Sequence, residues 1–325
     1  MSFISYAQNL EDVMLYRALN HVKRGFYIDV GAFNPLSDSL TKAFYDRGWR
    51  GINIEPITEF FELFQQQRPE DINLNLAVGN HQGEVIFYEV VNTGLSTTNK
   101  VYADRHAEAG YEIRIHTIPC TTLDSICSEN DVGTVHILKI DIEGGEKALL
   151  EGFAFATVRP WVVVIESVEP NTMVDLSHEW ELLILGKSYE FVYSDGVSRF
   201  YLAVEHSDLQ PYFCYPPNAF DDYIIYPHWL ALHELSEERA KVEQINSNLQ
   251  ALENQLSQIQ SGIIIQTLRR YQILVDRILR SGTRRRHYYE LGLTGIRVIL
   301  NEGWRAFWYK FRQKYRQKHD QAKEP

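Results

Sequence analysis

A short apolar run that ends in an acid, a spacer and a glycine is the most constraining feature of this chain. Residues 26–32 read Phe-Tyr-Ile-Asp-Val-Gly-Ala, and such a run, bounded by turn residues, is typical of a buried parallel strand. Gly31 lies where the chain leaves the strand, and a residue without Cβ allows a tight turn close to a ligand. The run therefore predicts a strand of an α/β sheet with a binding site at its carboxyl end.

The residues that follow complete a strand–helix–strand unit. Apolar side chains at helical spacing predict a helix over residues 36–46, which Gly48 ends. A second strand follows over residues 50–55 and ends in the acid Glu55. In units of this kind that bind nucleotides, a carboxylate at this place accepts hydrogen bonds from ribose hydroxyls.

The glycine pattern restricts the cofactor. A dinucleotide fingerprint needs three glycines, because the backbone approaches a pyrophosphate, and here Gly31 is followed by Ala32, Phe33 and Asn34. The unit also lacks the lysine of a phosphate-binding loop. A single glycine suits a ligand with a ribose but no phosphate, of which S-adenosylmethionine (AdoMet) is the common one. The alternative is a doubly wound domain with an incidental Asp-Val-Gly turn.

The order of strands and helices predicts an α/β fold. Alternation up to Glu166 requires right-handed crossovers and a mainly parallel sheet that is covered on both faces. The turn signal Asp195-Gly196 predicts a terminal antiparallel hairpin, an arrangement that AdoMet methyltransferases use. The other predicted elements are helices within residues 5–20, 58–67, 122–127, 146–151 and 178–187, strands over 72–78, 83–90, 111–119, 136–141 and 161–166, and an irregular or weakly helical stretch over 102–110.

Carboxylates cluster after the strand at residues 136–141. Asp141 ends that strand, and Glu143 and Glu146 follow it closely. Because open α/β sheets bind ligands at the carboxyl ends of their strands, Asp141 is expected at the active rim, where an acid can take a proton from a hydroxyl. These acids could also hold a divalent metal, which nothing else in the sequence supports. Alternatively Glu146 opens its helix and Glu143 is solvated. Glu166 ends the next strand on the same rim, either as a site residue or as a structural acid.

Charge is unevenly spread along the chain. The net charge is −11, yet residues 263–325 hold 15 of the 32 Lys and Arg and only 5 of the 43 Asp and Glu. An acidic body argues against nucleic-acid binding. The three cysteines have no metal-type spacing, which favours reduced thiols in a cytoplasmic protein. No secretory leader pattern and no apolar run of about 20 residues is present, so no membrane span is predicted.

Five separated motifs occur in a recognisable order. They are residues 5–13 (Ser-Tyr-Ala-Gln-Asn-Leu-Glu-Asp-Val), 26–32, 48–56 (Gly-Trp-Arg-Gly-Ile-Asn-Ile-Glu-Pro), 122–124 (Thr-Leu-Asp) and 138–146 (Leu-Lys-Ile-Asp-Ile-Glu-Gly-Gly-Glu). Together they resemble the FkbM-type AdoMet-dependent methyltransferases over about residues 3–205. The resemblance implies a Rossmann-like seven-strand fold and O-methylation of a hydroxyl, often on a sugar or a secondary metabolite.

The resemblance also implies roles for single residues. Asp29, Gly31 and the adjacent Ala32 would contact the methionine part of AdoMet, and Glu55 would bind the ribose. Asp141 and Glu143 would be catalytic residues at the active rim, where Asp141 also adjoins the cofactor. The remaining candidates are Asn80 for adenine, Gln8, Asn9, Glu11 and Asp12 in a segment that closes over the cofactor, and Ser96, Thr97 and Thr98 in a loop that either faces the acceptor or is plain surface.

The chain changes character after residue 205. Residues 213–227 are rich in aromatic residues and proline, which predicts a strap that packs on the domain or, alternatively, an aromatic platform for a sugar. Apolar residues then recur with a heptad spacing, at Leu235, Val242, Leu249, Leu256 and Ile263, and at Ile245, Leu252 and Ile259. This seam predicts a two- or three-stranded coiled coil and hence a homo-oligomer. The alternative is one long helix that folds back on the domain.

The last part combines aromatic and basic residues. Leu300, Trp304, Phe307, Phe311 and Tyr315 share one helical face, and Arg305, Lys310, Arg312, Lys314, Arg316 and Lys318 surround it. Such a helix can lie on an anionic membrane surface, dock on a partner or contact the acidic body of its own chain. The tail resembles the linker before glycosyltransferase modules, which implies a polysaccharide context and a glycosyltransferase partner.

These observations predict three parts: a methyltransferase domain over 1–227, a coiled-coil helix over 228–268 and a basic amphipathic tail over 269–325. The predicted function is AdoMet-dependent O-methylation of a hydroxyl on a sugar, a glycan or a glycosylated metabolite, in the cytoplasm or at the membrane periphery. One alternative is a non-catalytic Rossmann-like module that scaffolds a glycan-assembly complex through its coiled coil and tail. A sugar-nucleotide enzyme is a further alternative, which the missing pyrophosphate glycines disfavour.

Overall fold

The computed structural model describes residues 2–321 and the side chains of residues 2–313. It divides into two compact units, Met1–Glu234 and Leu235–Pro325. The strands of the first unit are β1 (Phe3–Ser5), β2 (Phe26–Val30), β3 (Arg50–Ile54), β4 (Ile72–Leu74), β5 (Ala77–Val78), β6 (Gly83–Val90), β7 (Ile113–Thr121), β8 (Ile137–Ile140), β9 (Val162–Glu166), β10 (Tyr189–Ser194), β11 (Ser198–Ala203) and β12 (Tyr223–Ile225). Its helices are α1 (Glu11–Leu19), α2 (Lys42–Asp46), α3 (Thr58–Gln67), α4 (Lys100–Glu108), α5 (Leu123–Glu129), α6 (Glu146–Glu151) and α7 (Glu181–Leu185).

The main sheet has seven strands in the order β10-β11-β9-β8-β2-β3-β4. Strands β4, β3, β2, β8 and β9 run parallel to one another, and β11 and β10 add an antiparallel hairpin at one edge. The predicted α/β fold, with a mainly parallel sheet and a terminal antiparallel hairpin, is therefore confirmed. Because β2 lies between β3 and β8, the two strand ends with predicted site residues flank the glycine turn.

Both faces of this sheet are buried, as its apolar strands require. Ile28 and Val30 of β2 pack in the core on one face, together with Leu138 of β8. Tyr27 of the same strand packs in the core on the other face, beside Trp49. Successive side chains of a strand point to opposite faces, so a strand without polar alternation fits only a sheet covered on both sides.

The strand predicted over residues 72–78 is divided in two. Ile72–Leu74 pairs with β3 in the main sheet, whereas Ala77–Val78 pairs with β7 in a separate sheet of order β5-β7-β6. Asn75 lies at the division, where its side-chain amide donates to the carbonyl oxygens of Glu55 and Pro56, at 2.9 Å each. The Asn75 side chain thus bonds to backbone carbonyl oxygens just after the pairing of β3 with β4 ends.

The helix predicted over residues 36–46 is much shorter, and only Lys42–Asp46 is helical. Before it, Asn34 Oδ1 accepts hydrogen bonds from two following backbone N–H groups, which favours a turn over a helix. Asp38 has a φ of +54°, outside the helical region. Arg68 also holds this segment, because its guanidinium donates to the carbonyl oxygen of Pro35 at 2.6 Å.

Two other segments also differ from the sequence prediction. The stretch predicted as irregular or weakly helical is the regular helix α4, because the Asn99 side chain accepts from the Val101 N–H and caps it. The single helix predicted over residues 178–187 is instead a 3₁₀ turn, Ser177–Glu179, followed by α7.

The aromatic strap packs on the first unit, as predicted. Its strand β12 pairs in parallel with β1. The Arg17 guanidinium of α1 donates to both Asp221 carboxylate oxygens and to the carbonyl oxygens of Tyr215 and Pro216. Phe213 packs in the core and Tyr223 packs against a smaller buried cluster, whereas Phe220 remains 98% exposed.

Two long helices dominate the second unit. Helix α8 (Tyr226–Ile278) starts before the unit boundary and is continuous, so the part boundary expected at residue 268 falls inside it. The heptad side chains of the second unit are 46–59% exposed. The coiled coil stays a prediction, because it would require a second helix to pack against these exposed side chains.

Helix α9 (Arg284–Gln321) is broken at Gly303, whose φ is +84°. Leu300 therefore lies on a different helical segment from Trp304 and Phe307, and the single amphipathic face predicted there is interrupted. The predicted side chains Lys314, Tyr315, Arg316 and Lys318 lie outside the described ones. Among the described helices, none combines the length and apolar character that a membrane span would need.

Candidate active site

A cavity of about 400 Å³ lies at the carboxyl ends of the central parallel strands. Its wall includes Gly31 after β2, Glu55 after β3, Asp141 after β8 and Glu166 at the end of β9. Ligands of open α/β sheets bind at this edge, and the volume is within the range of small-molecule sites. The sheet order thus brings together the acids that the sequence analysis placed at separate strand ends.

Gly31 is required by the approach of two strand ends. Its φ is +75°, and a Cβ at this position would lie 1.7 Å from the Asp141 carbonyl oxygen. The N–H groups of Gly31 and Ala32 both donate to the Ile54 carbonyl oxygen at 3.1 Å. The turn predicted at Gly31 is present, and the space beside it is filled by the protein's own backbone. Ala32 is buried and is not among the residues of the cavity wall.

Glu55 is a buried carboxylate on the cavity wall. Its Oε2 accepts from the Phe33 N–H at 2.7 Å, and its Oε1 accepts from the Ile57 N–H at 2.8 Å. Burial raises the pKa of Glu55 to about 7. The carboxylate therefore joins the turns after β2 and β3, and each oxygen retains a lone pair for a ligand hydroxyl.

Asp29 lies behind the wall, so a direct contact with a cofactor is not supported by this geometry. Its side chain is buried, with 1% of its surface exposed. Its Oδ2 accepts from the Thr41 hydroxyl at 2.7 Å, and its Oδ1 lies 3.5 Å from Lys139 Nζ. Asp29 is therefore a positioning residue for Lys139.

Lys139 is a site residue that the sequence analysis did not assign. Its Nζ donates to the Gly31 carbonyl oxygen at 2.7 Å and lies 3.1 Å from Asp141 Oδ2. Burial lowers its pKa, but the carboxylates of Asp141 and Asp29 outweigh this effect and raise it. A lysine inside the apolar strand β8 was the available signal, because a buried ammonium needs carboxylate partners.

Three carboxyl groups converge at the rim. One oxygen each from Asp141, Glu143 and Glu166 lie within 4.8 Å of one another. Glu143 is buried, with a backbone φ of +48°. Burial raises the pKa of Glu143 and that of Glu166, and the nearby Asp141 charge raises both further. The alternative in which Glu143 is solvated is therefore wrong.

Glu146 lies beside this group but faces the loop. Its Oε1 accepts from the N–H groups of Ile142 at 3.3 Å and Gly144 at 3.1 Å. Burial raises the pKa of Glu146 to about 7. The structural alternative is thus favoured for Glu146, which opens α6 and shapes the loop that carries Glu143.

The N-terminal motif contributes mainly structural groups. Gln8 is on the cavity wall, and Glu11 reaches a smaller adjoining cavity. Asp12 is fully buried and accepts hydrogen bonds from the Ser5 hydroxyl and from the N–H groups of residues 6 and 7. The Asn9 N–H donates to Glu11 Oε2. Of these four predicted residues, Gln8 is therefore the one placed to contact a ligand.

The loop over residues 93–98 forms part of the wall. Ser96 and Thr98 line the cavity. The Thr97 hydroxyl donates to the Glu143 carbonyl oxygen at 2.6 Å, and the Ser96 hydroxyl accepts from the Val90 N–H at 3.0 Å. The first bond attaches the loop to the acidic rim and the second attaches it to β6, so it is more than a plain surface loop.

Asn80 lies outside the wall, and its predicted approach to adenine is not supported. It is exposed, and its side chain donates to Glu151 Oε2 at 3.2 Å. It follows β5, the second part of the divided strand, which belongs to the separate three-stranded sheet. Leu76, Ala77 and Val78 line the cavity instead and offer an apolar surface near Glu55.

Comparison with known proteins bears on the family of this chain. The family model described as the methyltransferase FkbM domain matches residues 29–193, about half of the chain, which include the glycine turn and the acidic rim. The chain belongs to the FkbM methyltransferase family. No curated protein matches it. A crystal structure of methyltransferase FkbM from Methylobacillus flagellatus KT is similar at 16% identity and a TM-score of 0.36, over 55% of this chain and 44% of that one. The chain thus spans less than half of that protein's length.

The cavity wall of this member of the FkbM methyltransferase family has groups that fit a ribose and a base. Glu55 is a buried acceptor on the wall, and Leu76, Ala77 and Val78 provide an adjacent apolar surface for a base. On the other side of the cavity lie Asp141, Glu143 and Glu166, which can exchange a proton with a bound hydroxyl.

Proposed function

We propose that this protein is an AdoMet-dependent O-methyltransferase that acts on a hydroxyl of a sugar, a glycan or a glycosylated metabolite. One observation carries the proposal. Glu55 and Asp141 follow strands on either side of β2, and both line one cavity with the Gly31 turn between them. Glu55 as ribose acceptor and Asp141 as proton acceptor would then lie on opposite sides of one turn, which supports transfer from a nucleoside cofactor to a hydroxyl.

The cofactor would be held mainly by the first half of the rim. Glu55 would accept hydrogen bonds from ribose hydroxyls, and Ile57 and Leu76–Val78 would pack against the base. When bound, AdoMet supplies a methyl group on a sulfonium, and the methyl leaves with its bond electrons remaining on sulfur. Lys139 holds the Gly31 carbonyl oxygen and thereby keeps the turn between the two sides in place.

Asp141 would act as the general base. Its side chain is 38% exposed and paired with Lys139, so it is accessible from the cavity yet held in position. It would take the proton from the acceptor hydroxyl as the oxygen forms its bond to the methyl carbon. Glu143 adjoins it as the second proposed catalytic acid.

The other wall supports a hydroxyl-rich acceptor. Its polar side chains are Thr93, Ser96, Thr98, Asn171 and Thr172. Neutral hydroxyl and amide groups can both donate to and accept from sugar hydroxyls.

The second unit adds two proposals. The heptad seam would join copies of this chain. The basic amphipathic tail would contact an anionic membrane or a glycosyltransferase partner in the cytoplasm.

Calorimetry of AdoMet binding to the full chain tests this function. The titration is made in EDTA on the wild type, on Glu55→Gln and on the exposed control Glu84→Gln. We expect micromolar binding by the wild type and control. Loss of a charge-assisted hydrogen bond in Glu55→Gln should weaken binding by about 1–3 kcal/mol.

Circular dichroism and thermal unfolding would show that each variant is folded. Failure of folded wild type to bind AdoMet would overturn the proposal and favour the non-catalytic scaffold. Equal binding by Glu55→Gln and the wild type would instead exclude Glu55 as the ribose acceptor.

A further inference from the structure

The three carboxyl groups at the rim are spaced like the ligands of one ion. Their oxygens lie within 4.8 Å of one another. Two oxygens bound to one cation can be no farther apart than twice the metal–oxygen distance, about 4.2 Å for Mg²⁺ and about 4.6–5.2 Å for Ca²⁺. The spacing of Asp141, Glu143 and Glu166 is therefore compatible with one calcium-sized ion, and a magnesium ion would require the three groups to move closer together.

One of these groups lacks a hydrogen-bond donor. Glu143 is 8% exposed, and its Oε2 is buried without a hydrogen-bond partner. Buried carboxylate oxygens are normally paired, because their desolvation costs free energy that a donor or a cation must offset. This unpaired oxygen belongs to Glu143, which lies at the rim between Ile142 and Gly144, the two residues whose N–H groups donate to Glu146.

The charge around the cavity favours a cation. Among the described residues of the wall, Lys139 is the one basic side chain, and it is already engaged by Gly31, Asp29 and Asp141. In the described part of the chain, neither Glu143 nor Glu166 forms an ion pair with Lys139. All three donors are oxygens, which suits Mg²⁺, Mn²⁺ or Ca²⁺ better than a metal that prefers sulfur or imidazole.

We propose that Asp141, Glu143 and Glu166 bind a divalent cation of the Mg²⁺, Mn²⁺ and Ca²⁺ class. This inference deepens the proposed function, on which its catalytic meaning rests. Three protein ligands leave coordination positions open toward the cavity, where the acceptor's hydroxyl oxygens would complete the shell. A cation-bound hydroxyl loses its proton more readily, and a carboxylate oxygen that is not bound to the cation would receive it.

Binding of Mn²⁺ alone to the full chain tests the site without any cofactor. Electron paramagnetic resonance reports free Mn²⁺, and the wild type is compared with Glu143→Gln, Glu166→Gln and the exposed control Glu84→Gln. We expect one Mn²⁺ per chain for the wild type and control. Loss of a direct ligand should weaken binding more than tenfold, since even residues outside a ligand set cost about 10–100-fold.

Two variants keep the test decisive if one of them fails to fold, which thermal unfolding would reveal. Absence of Mn²⁺ binding by the folded wild type at millimolar concentration would overturn the inference. Undiminished binding by both folded variants would also overturn it, because the ion would then lie elsewhere. AdoMet binding in EDTA without Mn²⁺ binding would leave the proposed function intact and remove only the cation.

Discussion

A chain of buried polar side chains links the core to the candidate active site. Arg68 donates to the Thr41 hydroxyl at 2.7 Å, and Thr41 donates to Asp29. Asp29 adjoins Lys139, which pairs with Asp141 on the cavity wall. Hydrogen bonds and close ionic contacts connect each group to the next, so residues behind the cavity wall help to hold Asp141 in position.

Arg68 should be needed for stability. Its guanidinium is fully buried and donates to Thr41, to Ser39 and to the Pro35 carbonyl oxygen. Arg68→Met would leave these acceptors unpaired, and since each costs about 1–3 kcal/mol we expect the free energy of unfolding to fall by about 3 kcal/mol or more. Urea unfolding measures it. The exposed Arg24→Met should change it by less than about 0.5 kcal/mol, and an equally small effect of Arg68→Met would contradict the assignment.

His136 should make stability depend on pH. Its Nδ1 accepts from the Phe26 N–H at 3.1 Å, and its ring packs between Trp49 and Trp161. Burial lowers its pKa to about 4. In the unfolded chain histidine takes up a proton near pH 6.5, so the stability that neutral His136 contributes is complete above that pH and is lost as the pH falls toward 4.

We therefore expect the wild type to lose about 1–3 kcal/mol between pH 7 and pH 4 through this residue. His136→Asn keeps an acceptor near the Nδ1 position but does not titrate, so its stability should fall less over the same interval. Urea unfolding at several pH values makes the comparison. His81→Asn, at an exposed position, should behave as the wild type, and parallel curves for His136→Asn and the wild type would refute the prediction.

At the level of elements, the site is created where strand ends meet. Strand β2 pairs with β3 on one side and with β8 on the other. The parallel register places Val30 opposite Ile54 and Ile140, so Gly31, Glu55 and Asp141 all leave the sheet at one edge. This convergence requires the two turns to approach closely.

Gly31→Ala should therefore disrupt the rim. The added methyl would lie 1.7 Å from the Asp141 carbonyl oxygen, in a backbone conformation with φ of +75°. We expect a loss of about 3–5 kcal/mol, from backbone strain together with overpacking. Gly133→Ala is the matched control, because no atom lies within 4 Å of its Cβ position and its φ is not positive. Thermal unfolding compares them, and equal stabilities would contradict the close approach.

At the scale of the whole molecule, a folded α/β unit is followed by a helical unit with exposed apolar residues. Leu249 and Leu256 of the heptad seam are 53% and 56% exposed. Exposed leucines at heptad spacing are stabilised when another helix covers them. A second copy of this chain is the expected occupant, because identical seams are complementary in size and period.

Replacing the seam leucines should prevent association. Leu249→Lys with Leu256→Lys would place charges in the predicted interface, and we expect monomers where the wild type forms dimers or trimers at micromolar concentration. Sedimentation velocity gives the mass. Ser247→Lys with Asn254→Lys, on the opposite side of the heptad, should leave the oligomer intact. A monomeric wild type would show that the seam has another role.

The sequence alone was sufficient for features that depend on local pattern. The apolar run of β2, the turn at Gly31 and the acids Glu55 and Asp141 after strands are visible because strand periodicity and turn residues are local properties. The family was also recognisable from the motifs around them. Local pattern failed at residues 36–46 and 72–78, where side chains such as Arg68 and Asn75 bond to distant backbone groups.

Only the tertiary structure decided which polar groups meet. The pairing of β8 with β9 brings Glu166 beside Asp141, and the loop after β8 buries Glu143 next to both. Lys139 and Asp29 take their roles from neighbouring strands of the sheet rather than from their own segments. Contacts between residues far apart in sequence depend on strand order and register, which no local pattern specifies.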